Sequence, residues 1–488
     1  MNVFHVNATV FAIVTIAFAV IGLGAARRHQ TPRDYFRNPS FWKNAISLSA
    51  SNITLGTGLV YIVSATQQIG VWMLLAPASL FVGYAILGWL LGALDQSNLP
   101  ASKNILAAIA GRIESDTGRH TPFASVLSFV LALLLVVILA FEIFASSKVL
   151  TPLLVSRSDV TTEVLLSTGL FAVTLLYAVM GGVGAILKVD VLQVPLICLF
   201  VPAFLFVCLH SPTGERSEMN WVHVGGAAPS LLAVIAVCVN AAAGQFFSLL
   251  NLGTASQVQA SSRRAFSMTV GALTAVALST FVIGGLAVST STTENPWQAV
   301  MERVVGNGSG EGVTGMVLAA VIIAGMSAIL FTTTDAVVLN AIMFWYDNVK
   351  GRNSLSEEPD KRELLGIRII GAAVFAVSFG LLAALNYIQP DPFYLLLGIA
   401  GGVNVFAPMI IAGGLACLRP GYASVMTPRA VWAFVWLFAF AGFWNVYFLI
   451  IRSPLVAHVS TLSFAASSVL ATIMLVRARF QKSSVHPG

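Results

Sequence analysis

Charge is what this sequence has least of. Asp, Glu, Lys and Arg make up 9% of its 488 residues, against 57% hydrophobic ones, and the mean hydropathy is +0.87. A water-soluble globule needs far more polar side chain to coat its surface, so this shortage places the chain in a lipid bilayer. Cysteine is scarce too. Cys198, Cys208, Cys238 and Cys417 all lie in apolar stretches without paired spacing; this argues against a disulfide framework or a zinc site and leaves buried packing thiols. The seven histidines are scattered, and no nucleophile, general base and oxyanion donor form a pattern, so the chain does not read as an enzyme. The formal charge of +6 is spread between apolar segments instead of forming a patch, which argues against nucleic acid as a partner. A basic leader is also missing, because Arg27 and Arg28 follow the first apolar run, Val3 to Leu23. That is the pattern of an uncleaved first span with its N-terminus outside.

What the chain does have is long apolar runs. About 20 apolar residues cross a hydrocarbon core of ~30 Å as a helix, and thirteen such segments are expected at 3–23, 44–65, 68–94, 123–154, 164–180, 184–209, 229–251, 268–290, 313–346, 364–385, 393–417, 431–450 and 456–476. With the N-terminus outside, cytoplasmic segments hold twenty Lys and Arg, and the opposite side holds only Arg157, Arg216, Arg303 and Arg452. Cytoplasmic loops concentrate these residues, so the imbalance predicts that orientation. An odd number of spans puts the C-terminus in the cytoplasm, where 477–488 is a short tail. The whole chain, 1–488, reads as one domain in a cell membrane, inner or plasma.

Several spans carry polar groups where lipid-facing backbone would not tolerate them. Ser47 to Gly58 crowds hydroxyls and the Asn52 amide before two glycines. A broken helix there would free carbonyls for a small cation; a packing face of small residues is the alternative. Phe331-Thr332-Thr333-Thr334-Asp335 places a carboxylate inside the ninth span, where it needs a cavity or a partner. Glu142 lies deep in the fourth span as a proton-linked group, a solute contact or a neutral acid bonded to a neighbouring helix, while Lys148 snorkels to the interface. Asp190 follows Gly181-Gly182 near the start of the sixth span, where the helix dipole alone favours an acid.

Taken in order from Tyr35 to the last span, these segments resemble the sodium/solute symporter family. The specific stretches are Tyr177 to Gln193, YAVMGGVGAILKVDVLQ, similar to the family's YTxxGGxxAVxxTDxxQ pattern, and Ala50-Ser51-Asn52-Ile53-Thr54, similar to its sodium-site segment. The resemblance implies an all-α membrane protein on the leucine-transporter fold. Its core would be an inverted repeat of five plus five spans (44–209 and 229–417), with a peripheral first helix at 3–23 and two further helices within 431–476. It also implies a Na⁺ site made by the carbonyls of Ala50, Ile53 and Ile329 with the hydroxyls of Thr332 and Thr333, although Ser327 competes for that register. Asp335 falls on the acidic position of the family's STADS-like run, and Asp190 on an inner sodium exit path. Asn52, Glu142, Asp190, Asp335 and Asn404 are the substrate or coupling candidates.

The sequence departs from the family near the seventh span, where Phe246 and Asn251 stand in place of a Pro and a basic residue. No polar solute-binding positions of sugar carriers are evident around Val237 to Ala243. The expected activity is Na⁺-coupled import of a small polar solute, neutral or zwitterionic. Proton-coupled or cation-independent transport and a transporter-like nutrient sensor are the alternatives. The sequence leaves the oligomeric state open.

Overall fold

The computed structural model describes residues 3–26, 40–96, 105–118, 120–155, 159–210, 231–247, 258–289, 296–310, 312–350, 361–388, 395–396, 398–399, 404–418, 426–451, 453 and 455–485. Among these, every regular element longer than a single turn is a helix. Among the described residues ten helical spans are long and apolar enough to cross a membrane, two of them the halves of one kinked run (Val160–Gly182 and Gly184–Leu209), and Leu231–Gln245 and Phe406–Leu418 are apolar but shorter.

In chain order the helices are α1 (Val3–Ala26), α2 (Phe41–Asn52), α3 (Tyr61–Ile69), α4 (Leu75–Gln96), α5 (Ile105–Thr117), α6 (Phe123–Leu154), α7 (Val160–Leu209), α8 (Leu231–Phe247), α9 (Arg263–Ser289), α10 (Pro296–Gly310), α11 (Gly312–Lys350), α12 (Lys361–Ile388), α13 (Phe406–Leu418), α14 (Pro428–Ile450) and α15 (Val456–Val485). A π-helical turn, Leu55–Val60, leads into α3, and a 3₁₀ turn, Gly70–Leu74, links α3 to α4.

The expected fifth and sixth segments form one 50-residue run, α7, kinked at Gly182 with φ 57° and ψ −159°. Only glycine enters that backbone region without strain, so the Gly181-Gly182 pair sets the bend. Asp159 caps the start of α7. Hydrogen bonds from the Thr162 hydroxyl and backbone N–H, both 2.7 Å, hold its exposed carboxyl below the usual carboxylate range.

Helix α11 is the central post. It packs against α1, α2, α6, α7, α10 and α12, and Ala324 to Phe344 is buried throughout. The first helix docks on α7 and α11, with Phe18 edge-on to Phe331 at 5.6 Å. Its other face exposes Ile13, Ile16 and Val20, as expected of a lipid contact.

Three expectations are corrected. Cys198 is exposed on the apolar surface, Cys238 is partly buried, and only Cys208 and Cys417 are buried. The glycine-rich stretch Gly306 to Gly312 reads from the sequence as a flexible outer loop, yet residues 306–310 belong to α10. Lys148 does not simply reach for the interface: its ammonium lies over the Phe144 ring, 5.0 Å from the centroid.

Candidate functional site

The second expected span is broken. Its first half, α2, ends at Asn52, and Ile53 (φ −84°, ψ 84°) and Thr54 (φ −92°, ψ 152°) leave the helical region before the π turn begins. In a continuous helix the carbonyls of Ser51 and Asn52 would accept from the N–H groups of Leu55 and Gly56. Those two N–H groups instead donate to Glu142 Oε1, each at 2.7 Å. Glu142, fully buried on α6, therefore holds the break open from the side. Its structural position is that of an acceptor for a neighbouring helix's backbone.

The Ser51 carbonyl, released from helical pairing, accepts from Thr333 Oγ1 of α11 at 3.2 Å. One residue earlier, Thr332 Oγ1 donates to Gln193 Oε1 of α7 at 2.7 Å. Ala50 O accepts from Ile53 N at 3.1 Å, and Ala50, Ile53 and Ile329 are all buried. The rival hydroxyl, Ser327, bonds back to Ile323 O of its own helix at 2.7 Å. The threonines, not Ser327, therefore reach across to other helices.

Two buried carboxylates flank this contact. Asp190 Oδ2 accepts from Ser47 Oγ at 2.5 Å, which ties α7 to α2. Asp190 lies well inside the second half of α7, so a dipole cap does not account for it. Asp335 Oδ2 accepts from the Tyr177 hydroxyl at 2.9 Å, which ties α11 to the first half of α7. The second carboxylate oxygen of each accepts no hydrogen bond of normal geometry. Ser51, Tyr177, Asp190, Gln193, Thr332, Thr333 and Asp335 thus form one buried cluster spanning α2, α7 and α11, with Ser47 half-buried at its edge.

The other two candidates stand apart from it. Asn52 Nδ2 donates to Leu48 O and to the Tyr84 hydroxyl of α4, both at 2.8 Å. Asn404, fully buried just before α13, donates to the Asn240 side chain of α8. Asn240 lies in the stretch from Val237 to Ala243 that showed no polar position of the expected kind. A single uncharged amide in an apolar run gives little signal until its partner is seen. Phe246 and Asn251 fall where no side chain is described.

The candidate donors are all oxygen: the carbonyls of Ala50, Ile53 and Ile329 and the hydroxyls of Thr332 and Thr333, all buried, with the Ser51 carbonyl and two aspartates beside them. A small hard cation requires such ligands. Each threonine hydroxyl spends its proton elsewhere and keeps its lone pairs, and each aspartate keeps an oxygen with no hydrogen-bond partner. These residues fit Na⁺. Among the described residues no three His, Cys, Asp or Glu side chains converge as a metal cage.

No sequence-family model and no curated protein matches this sequence. Solved structures do. A Na⁺-coupled sialic acid symporter, in a substrate-bound outward-open state, superposes with a TM-score of 0.66 at 14% identity, covering 96% of this chain and 97% of that one. A nucleobase-cation-symport-1 family transporter, closed around bromovinylhydantoin, gives 0.57 at 13% identity over 94% and 96%. The chain shares their fold. It is the leucine-transporter fold that the resemblance implied, now supported along nearly the full length by helix placement instead of motif matching.

Proposed function

We propose that this chain is a secondary active transporter that couples Na⁺ to the import of a small polar organic solute by alternating access. The observation that carries the reading is the helix break at Ile53 and Thr54 facing Thr333 of α11, set in a fold shared with a Na⁺-coupled symporter and a cation-symport family transporter. The ligands are the carbonyls of Ala50, Ile53 and Ile329 and the hydroxyls of Thr332 and Thr333. Asp190 and Asp335 serve as flanking charge, and Asp190 lies on the inner exit path.

The ion's task follows from its place. The α2 break and α11 belong to the two five-span repeats, 44–209 and 229–417, so an ion between them stabilises the conformation in which they are close. It shifts the population only by its differential affinity for the two states. The solute binds at midplane, with Asn404 as a polar contact. The protein sits in a cell membrane, inner or plasma, with its N-terminus outside and its C-terminus in the cytoplasm.

The test is thermal unfolding of the detergent-purified protein in Na⁺ and in K⁺ at matched ionic strength. Na⁺ at a hundred times its Kd stabilises a single site by about 2.7 kcal/mol, so a Na⁺-specific rise in Tm is expected. The combined Thr332→Ala and Thr333→Ala variant should lose the rise while folding in K⁺ as before. Equal Tm values in the two salts, or a rise that survives the double substitution, overturn the site.

A further inference from the structure

A broken membrane helix presents its second half as an N-terminus with unpaired N–H groups and a partial positive charge. In transporters of this architecture such half-helix N-termini point at anionic groups of the substrate. Here the position is filled from within. The Glu142 carboxylate of α6 takes both Leu55 N–H and Gly56 N–H at 2.7 Å and is fully buried. Gly56 makes the fit close: a Cβ there would lie 3.0 Å from Glu142 Oε2 and 2.8 Å from Ala145 Cβ. The carboxylate thus rests against bare backbone, and the helix behind it continues from Leu55 through Ile69.

We propose that Glu142 is a specificity-determining residue. It is a built-in anion that occupies the carboxylate position at the break and so restricts this carrier to solutes with no carboxylate at the end that meets the break. Such solutes are neutral or cationic, for example polyols, amides or amines. The inference rests on the solute-transport reading; it keeps the neutral option of the sequence expectation, replaces the zwitterionic one where the carboxylate would meet the break, and admits cations. A solute carboxylate placed there would find its donors already engaged and would face a like charge in a low-dielectric site, which is a strong form of exclusion.

Formate supplies the test, because it is a carboxylate small enough to replace the missing side chain. Glu142→Ala leaves two buried N–H groups unpaired and should lower Tm. Formate should restore most of that loss, whereas chloride at the same ionic strength and neutral formamide should not, and the wild type should respond to none of them. Glu142→Gln keeps the shape and an acceptor oxygen, so it is the arm that remains if the alanine variant does not accumulate. It should stay folded and bind carboxylate members of matched pairs, such as betaine against choline and lactate against propane-1,2-diol, better than the wild type does.

No formate effect on Glu142→Ala, or wild-type stabilisation by the carboxylate member of a pair, overturns the proposal. So does a Glu142→Gln variant with unchanged selectivity, if that arm decides. These readouts are taken in Na⁺ and again in K⁺. A formate rescue identical in both salts, without any Na⁺ effect on Tm, would leave the role of Glu142 standing while removing Na⁺ coupling.

Discussion

A hydroxyl has one proton and two lone pairs, and at Thr333 the proton is committed to Ser51 O, leaving the lone pairs for a cation. The same holds for Thr332 against Gln193. Thr333→Val keeps the shape and removes the oxygen, and Thr333→Ser keeps the oxygen and removes a methyl group. Losing a buried polar partner costs about 1–3 kcal/mol. The Na⁺ concentration for half-maximal stabilisation should therefore rise by roughly 5- to 150-fold in the valine variant and change little in the serine variant. A titration of Tm against Na⁺ separates the two, and equal shifts would mean that packing matters here and the oxygen does not. At this scale the sequence exposed charges and hid neutral partners. Asp190, Asp335 and Glu142 stood out because a carboxylate in a span demands an explanation. Ser47 and Tyr177 appeared only as members of a hydroxyl-rich run and of a family-like pattern, because their value here lies in which carboxylate they meet.

Among the elements, close helix approaches are written in glycines. At Gly83 of α4 a Cβ would fall 2.2 Å from the Ala242 carbonyl oxygen of α8, and that neighbour is backbone, which cannot rotate aside. Gly169 of α7 has nothing within 4 Å of the same point. Gly83→Ala must therefore force α4 and α8 apart and lower Tm sharply, by the 1–3 kcal/mol of an overpacked core or more. Gly169→Ala should be neutral or stabilising by up to ~1 kcal/mol through helix propensity. Thermal unfolding of the two variants side by side checks this, and similar Tm values would refute the α4–α8 contact. The break in the second span was legible beforehand as a polar, glycine-rich interruption of a hydrophobic run. What holds it open was not, since Glu142 is 87 residues from Leu55 and only the packing of α6 beside the π turn brings them together.

On the scale of the whole molecule, hydropathy located the helices because a bilayer admits few other structures. Polar residues between apolar runs marked most of their ends, and the Gly181-Gly182 pair marked the kink that divides α7 into the two expected spans. Helix packing itself does not say which side faces the cytoplasm, and that information lies in the charges. With twenty Lys and Arg on one side of the expected topology and four on the other, the positive-inside bias predicts an outside N-terminus. The consequence can be tested with single cysteines in a background where Cys198, Cys208, Cys238 and Cys417 are replaced. Ser217→Cys, between α7 and α8, should react with a membrane-impermeant maleimide in intact cells. Ser354→Cys, between α11 and α12, should react only after permeabilisation. The reverse pattern would overturn this orientation.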